Sequence, residues 1–397
     1  MDKQSVALES QALLAEASRR SAGLAEFGDP SFRAGLEVLL RSVNEEAQLS
    51  DAGRALFAER IVESLCNRLT LEAYCARHPE ILNEAIERPV VIVGLPRTGT
   101  TMLHRILARD PRFYTANYWE VRFPSPFPGA APDAPDPRIA AAKTEVGMMI
   151  QAMPELLAMH PLDAELPDEE VILMEHSFLS AMDAYANLPG YVAWLGRQDQ
   201  TPAYAYLKRQ LQFLQWQKRQ RGEVAQRWIL KSPHHVHAMP TLFKVFPDVQ
   251  VIQTHRDPLQ TIPSMGSFAY TIWRVYSDVA DPAKAGRLWA DKFAAGMRNS
   301  MAFRDGMPAA RFLDVWYLDA VTKPIEVAES VYPFLGMELG SEVRQRMLDW
   351  MELSRRDQRA AHQYSIEKMG LTLAGLERDF AGYRARYILP RQAGAAA

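Results

Sequence analysis

The sequence predicts an α/β fold: a three-layer core around a central parallel sheet, preceded by a helical layer and carrying a helical insertion. Three observations lead there. Val90-Val91-Ile92-Val93 is a short, unbroken, β-branched run of the kind buried on both faces of a parallel sheet. Residues 227–230, 249–254 and 311–315 are three more candidate buried strands. Helical patterns separate them, which is the alternation that builds βα units.

Residues 1–88 read as helix throughout. Asp29-Pro30 has the form of an N-cap followed by proline at the first helical position, with Leu36, Leu40 and Val43 on one face beyond it. Ser50 opens a second helix that carries Ile61, Leu65 and Leu69 on one side. At Pro89 the character changes to the first strand, a glycine-containing turn, and a helix over residues 100–109 stopped by Asp110-Pro111. Six prolines fall within residues 122–137, which predicts a long surface loop. Residues 138–222 return to helix and form an insertion before the second strand, after which a helix begins near Pro233. The main α/β domain therefore spans 89–390, and the small-residue tail 391–397 is expected to be disordered.

Composition narrows the function classes. Hydrophobic residues make up 48% and charged residues 23%, and the formal net charge is -3, so a nucleic-acid partner is not expected and any anion site must be made locally. The two cysteines, Cys66 and Cys75, are too few for a disulfide framework or a metal site, and both are expected to be reduced. The N-terminus lacks the apolar core of a signal peptide and no long apolar run is present, so a cytoplasmic protein without a membrane span is expected.

The chemistry concentrates at the ends of the strands. After the first strand comes Gly94-Leu95-Pro96-Arg97-Thr98-Gly99-Thr100-Thr101. Its glycines stand five apart, as in a Walker A loop, but Thr100 occupies the lysine position. Such a P-loop-like turn still aims backbone N–H groups and a helix N-terminus at a phosphate. Without the lysine it is poorly equipped for the β and γ phosphates of a nucleoside triphosphate. Arg97 at its centre offers a guanidinium fork to one anion. At the end of the third strand, Thr254-His255-Arg256-Asp257-Pro258 opens another helix, with Ser264 eight residues after Arg256.

These two motifs resemble the cofactor loops of sulfotransferases that use 3′-phosphoadenosine-5′-phosphosulfate (PAPS), in particular the bacterial branch with Pro-Arg-Ser/Thr-Gly-Thr. The resemblance implies that the loop from Gly94, through Arg97, Thr98, Gly99, Thr100 and Thr101, holds the 5′-phosphosulfate. It also implies that Arg256 and Ser264 grip the 3′-phosphate. Trp316-Tyr317-Leu318-Asp319 is similar to the family's Tyr-Glu-Asp segment and makes Tyr317 a candidate adenine contact. Residues 355–371, with Arg356, Arg359, His362 and Tyr364, look like the closing segment of bacterial members, although the usual C-terminal Arg-Lys-Gly motif is absent. By this resemblance PAPS is the cosubstrate, PAP (adenosine 3′,5′-bisphosphate) the product, and no metal is needed.

For the general base the resemblance offers two readings. Lys231-Ser232-Pro233-His234-His235 follows the second strand and faces the same end of the sheet. The bacterial pattern Lys-Ser-Pro-x-His points to His235, whereas counting 22 residues back from Arg256 gives His234. Lys231 would contact the sulfuryl group, and His237 reads as structural. The rival base is Glu120, after the first helix. The acceptor pocket is expected from the proline-rich loop and the insertion, where Tyr118, Trp119, Phe123, Met148, Met149, Met153 and Met159 favour a small apolar or aromatic alcohol. The acidic run Asp163, Glu165, Asp168, Glu169 and Glu170 reads as a helix N-terminus. The alternatives are a P-loop nucleotide kinase or NTPase, which Thr100 argues against, and a catalytically degenerate nucleotide-binding module.

Overall fold

The computed structural model describes residues 7–129, 134–355 and 364–395. Its sheet contains β1 (Val90–Gly94), β2 (Phe113–Tyr114), β3 (Arg227–Lys231), β4 (Gln250–His255) and β5 (Phe312–Trp316), in the order β2-β3-β1-β4-β5. Every pairing is parallel. β1 lies between β3 and β4, so strands are added on one side of it and then on the other. The loop that leaves β1 therefore sits at the topological switch point, where open α/β sheets bind ligands.

Alternation along the strands builds the layers. Val90, Ile92, Ile229 and Ile252 pack with helices Thr100–Leu107 and Pro324–Leu335 on one face. Val91, Val93, Leu230 and Val251 pack on the other with Thr201–Gln220, Pro258–Tyr276 and Pro282–Asp305. The N-terminal helices Phe32–Glu45 and Asp51–Arg77 join this second core through Leu36, Leu40, Ile61 and Leu65. They share a hydrophobic core with the sheet.

Several boundaries differ from the sequence reading. The helix expected from Asp29-Pro30 starts at Phe32, because the Asp29 carboxylate accepts from the Ser31 N–H (2.8 Å) and closes a turn before it. The sheet has five strands where four were expected, since β2 adds only two residues beside β3. The insertion is helical at Pro137–Ala152, Pro189–Leu195 and Thr201–Gln220, with the short helices Leu156–Met159 and Val171–Met174 and irregular chain between the first two. Pro233 opens a 3₁₀ turn, Pro233–His237, before the helix Met239–Val245. Helix Leu389–Ala395 occupies most of the segment expected to be a disordered tail. Arg356, Arg359 and His362 lie outside the described residues.

Candidate functional site

The phosphate-type loop is fixed from below by β4. Gly94 pairs with Thr254, and a Cβ at Gly94 would stand 2.3 Å from Thr254 Oγ1 and 2.5 Å from its carbonyl oxygen. Thr98 Oγ1 lies 2.7 Å from the Leu95 carbonyl and 2.6 Å from Thr254 Oγ1, so this hydroxyl is committed to holding the turn. Arg97 (φ 66°) and Gly99 (φ 83°) adopt left-handed backbone, and Gly99 caps helix Thr100–Leu107. The Arg97 conformation is uncommon for a residue with a side chain. Gly94→Ala should cost about 1–3 kcal/mol, measured as a lower urea midpoint; an unchanged midpoint would mean that β1 and β4 can separate freely.

Two guanidinium groups meet at this loop. Arg256 donates from Nη1 to the Arg97 carbonyl (2.9 Å) and stacks 3.9 Å over the Tyr317 ring. Arg97 donates to the Ala158 carbonyl (3.2 Å), while its buried Nε has no partner among the described residues. Neither arginine has a carboxylate partner among the described residues. Burial and the neighbouring Arg256 charge both lower the pKa of Arg97. Paired, uncompensated cations with an orphaned buried donor are the signature of an anion site.

The positive charge missing from the loop arrives from the next strand. Lys231, at the end of β3 and fully buried, reaches Thr101 Oγ1 (3.4 Å) and Glu169 Oε1 (2.7 Å). Beyond it, Ser232 caps the 3₁₀ turn by accepting from the His234 N–H (3.1 Å). His234 then lines a cavity of about 720 Å³ that also takes in Arg97, Thr100, Thr101, Arg256 and Tyr317. Both His234 ring nitrogens are buried and lack partners among the described residues. Burial, reinforced by His237 and Lys292, holds its pKa well below the usual histidine range. The rest of the wall is largely apolar, including Met149, Met153, Phe268, Ile272 and Phe293.

The sulfotransferase family model matches residues 89–341, a stretch that contains every strand and the whole loop region. The chain belongs to the sulfotransferase family. Among solved structures, it is similar to sulfotransferase STF9 from Mycobacterium avium, at 27% identity over 98% of both chains with a TM-score of 0.85. It is also similar to sulfotransferase STF1 from Mycobacterium tuberculosis, at 29% identity over 96% of this chain and 100% of that one, with a TM-score of 0.78. No curated protein matches the chain.

In this sulfotransferase, the expected site residues divide into two groups. Arg97, Gly99, Thr100, Thr101, Arg256, Tyr317 and His234 all line the cavity. Lys231 touches it through Thr101 and Glu169. Ser264 is buried on helix Pro258–Tyr276, one residue before the cavity-lining Met265. His235 is not brought to the cavity: its ring is fixed in the core between Tyr204 Oη (2.8 Å) and Glu170 Oε1 (2.5 Å). Glu120 is placed elsewhere too. It is 1% exposed, bonds both carboxylate oxygens to Lys218 Nζ (2.7 Å each), and accepts from Arg221 and the Asn117 N–H. That arrangement caps and anchors helix Tyr118–Arg122.

Other residues take roles the sequence did not show. The acidic run is a set of tethers. Asp168 pairs with His160 (3.2 Å), Glu169 with Lys231, and Glu170 with His235 and the Lys231 N–H (2.8 Å). Burial works to raise the Glu170 pKa, but the His235 hydrogen bond and charge more than reverse it. His237, expected to be structural, lines the cavity beside His234, with ring centroids 6.0 Å apart. Arg60 and Glu63, in the N-terminal layer, line it too. Of the aromatic and methionine candidates, Tyr118, Met148, Met149, Met153 and Met159 line the cavity, whereas Trp119 and Phe123 pack in the neighbouring cluster. Among the described residues no cluster of His, Cys, Asp or Glu could hold a metal ion, and no helix is long and apolar enough to cross a membrane.

Proposed function

We propose that this sulfotransferase moves the sulfuryl group of PAPS to the hydroxyl of a small, largely apolar acceptor, with His234 as general base. One observation carries this reading: uncompensated Arg97 and Arg256, together with Lys231 and Thr101, gather at one cavity whose remaining wall is mostly apolar. The two arginines, stacked Tyr317 and buried Ser264 are suited to the two phosphate groups and base of the nucleotide. PAPS supplies the sulfuryl group when bound.

The chain's own residues do the rest. Apolar side chains exclude water and orient the acceptor oxygen for in-line attack. His234, neutral because burial opposes its charge, takes the hydroxyl proton as the new O–S bond forms. The electron pair of the breaking S–O bond leaves on the 5′-phosphate of PAP, where Lys231, Arg97 and the loop N–H groups meet the developing charge.

Calorimetric titration with PAP, beside ATP–Mg²⁺, tests the donor assignment. Wild type should bind PAP tightly and ATP much more weakly. Arg256→Ala should weaken PAP at least about tenfold, as expected for loss of a charge-assisted contact. Equal affinity for ATP–Mg²⁺ would favour the nucleotide-kinase class instead.

A further inference from the structure

The cavity extends well beyond the loop. Helix Pro258–Tyr276 lays Met265, Phe268, Ile272, Val275 and Tyr276 along its wall. At 1.5 Å per residue, Met265 to Tyr276 measures roughly 16 Å. The helix begins beside Arg256, and its last residue packs on Phe57 (6.1 Å) and Tyr185 (5.7 Å between ring centroids). That far end is where helix Asp51–Arg77 brings Leu56, Glu59, Arg60 and Glu63 to the wall. Leu56 and Met148, both about half exposed, mark where the cavity meets solvent.

The far end is polar in an unusual way for an apolar chamber. Arg60 binds Glu175 through Nε (2.8 Å) and Nη2 (3.0 Å) and stacks 3.9 Å over Tyr185. Arg122 binds Glu145 through Nε (2.8 Å) and Glu63 through Nη2, while Tyr118 Oη donates to Glu145 (3.0 Å). Each guanidinium thus leaves Nη1 with no hydrogen-bond partner among the described residues, and both side chains line the cavity. Three carboxylates face two arginines, so a second anion is disfavoured; a neutral oxygen that accepts a hydrogen bond is not.

We infer that Arg60 and Arg122 form an acceptor-recognition subsite for a neutral polar group, a hydroxyl or carbonyl. The acceptor is then an elongated apolar alcohol carrying that group at its far end. Its reacting hydroxyl lies at His234, its apolar body runs along the Met265–Tyr276 stripe, and its second oxygen meets the arginines. The inference rests on the donor and acceptor assignment above, and its test separates the two.

The test compares PAPS-dependent sulfation of 1,12-dodecanediol, 1-dodecanol and 1,6-hexanediol by the wild-type enzyme, with PAP titration alongside. The expected result is a KM for the long diol at least about tenfold below that for the mono-alcohol, with the short diol gaining no such advantage. Arg122→Gln should bring the ratio of kcat/KM values for the two long alcohols to within about threefold. Because both substrates are assayed on one preparation, loss of folded enzyme cannot move that ratio. Equal KM values for the two long alcohols, with PAP binding and sulfation intact, would overturn the subsite and leave the donor assignment standing. Absence of PAP binding would instead strike the assignment itself.

Discussion

Replacing His234 with glutamine lowers kcat/KM by about 10²–10⁴, the usual contribution of a positioned general base, while PAP affinity stays as in the wild type. Glutamine keeps polarity and approximate size but cannot take a proton. The matched control is His235→Gln, one residue along. That change disturbs a buried contact with Tyr204 and Glu170, so its cost falls on stability. Turnover per folded molecule should remain within about tenfold of wild type, a drop small beside the loss of a base. The pH profile gives an independent reading. Burial depresses the His234 pKa, so in the free enzyme the neutral base persists below pH 6.5. The acid limb of kcat/KM, which reports the free enzyme, should therefore lie on the acid side of 6.5. A limb at or above 6.5, or a large loss in H235Q with none in H234Q, would remove His234 from the role.

The second large effect concerns Lys231 and Glu169, whose substitutions should act in opposite directions. Lys231→Met removes the ammonium that reaches the loop through Thr101. PAP affinity should fall, and kcat should fall by about 10²–10³, the range seen when a group stabilising transition-state charge is deleted. Glu169→Gln leaves that lysine buried without its carboxylate, which destabilises the ligand-free protein. A bound anion then supplies the missing partner. The PAP-induced rise in Tm should accordingly be larger in E169Q than in wild type, because ligand linkage adds to relief of an unpaired charge. Differential scanning calorimetry with and without PAP measures both. If the two variants respond to PAP alike, Lys231 does not face the anion.

Much of this architecture was legible because it follows from local rules. The β1 run, the loop glycines and the Arg256–Pro258 junction each place strand, turn and helix by short-range preference. β2 was not legible, since two residues carry no periodicity. The choice between His234 and His235 was also hidden. Neighbours on a 3₁₀ turn point in different directions, and only packing against Tyr204 decides which one enters the core. The roles of Glu169 and Glu170 depend on partners some sixty residues away. For Arg60 and Glu63 the sequence offered one faint cue: with Glu59 they place charge at helical spacing on a helix that otherwise supplies core residues.

The region that defines family membership begins at residue 89, yet part of the cavity wall is built by residues 56–63. The cavity wall is thus shared between the family region and a stretch of chain that precedes it. A lineage can therefore redraw the wall at residues 56–63 while the strand-end loops are inherited unchanged. Phylogenies drawn from the shared region alone would pass over the part of the wall that residues 56–63 supply.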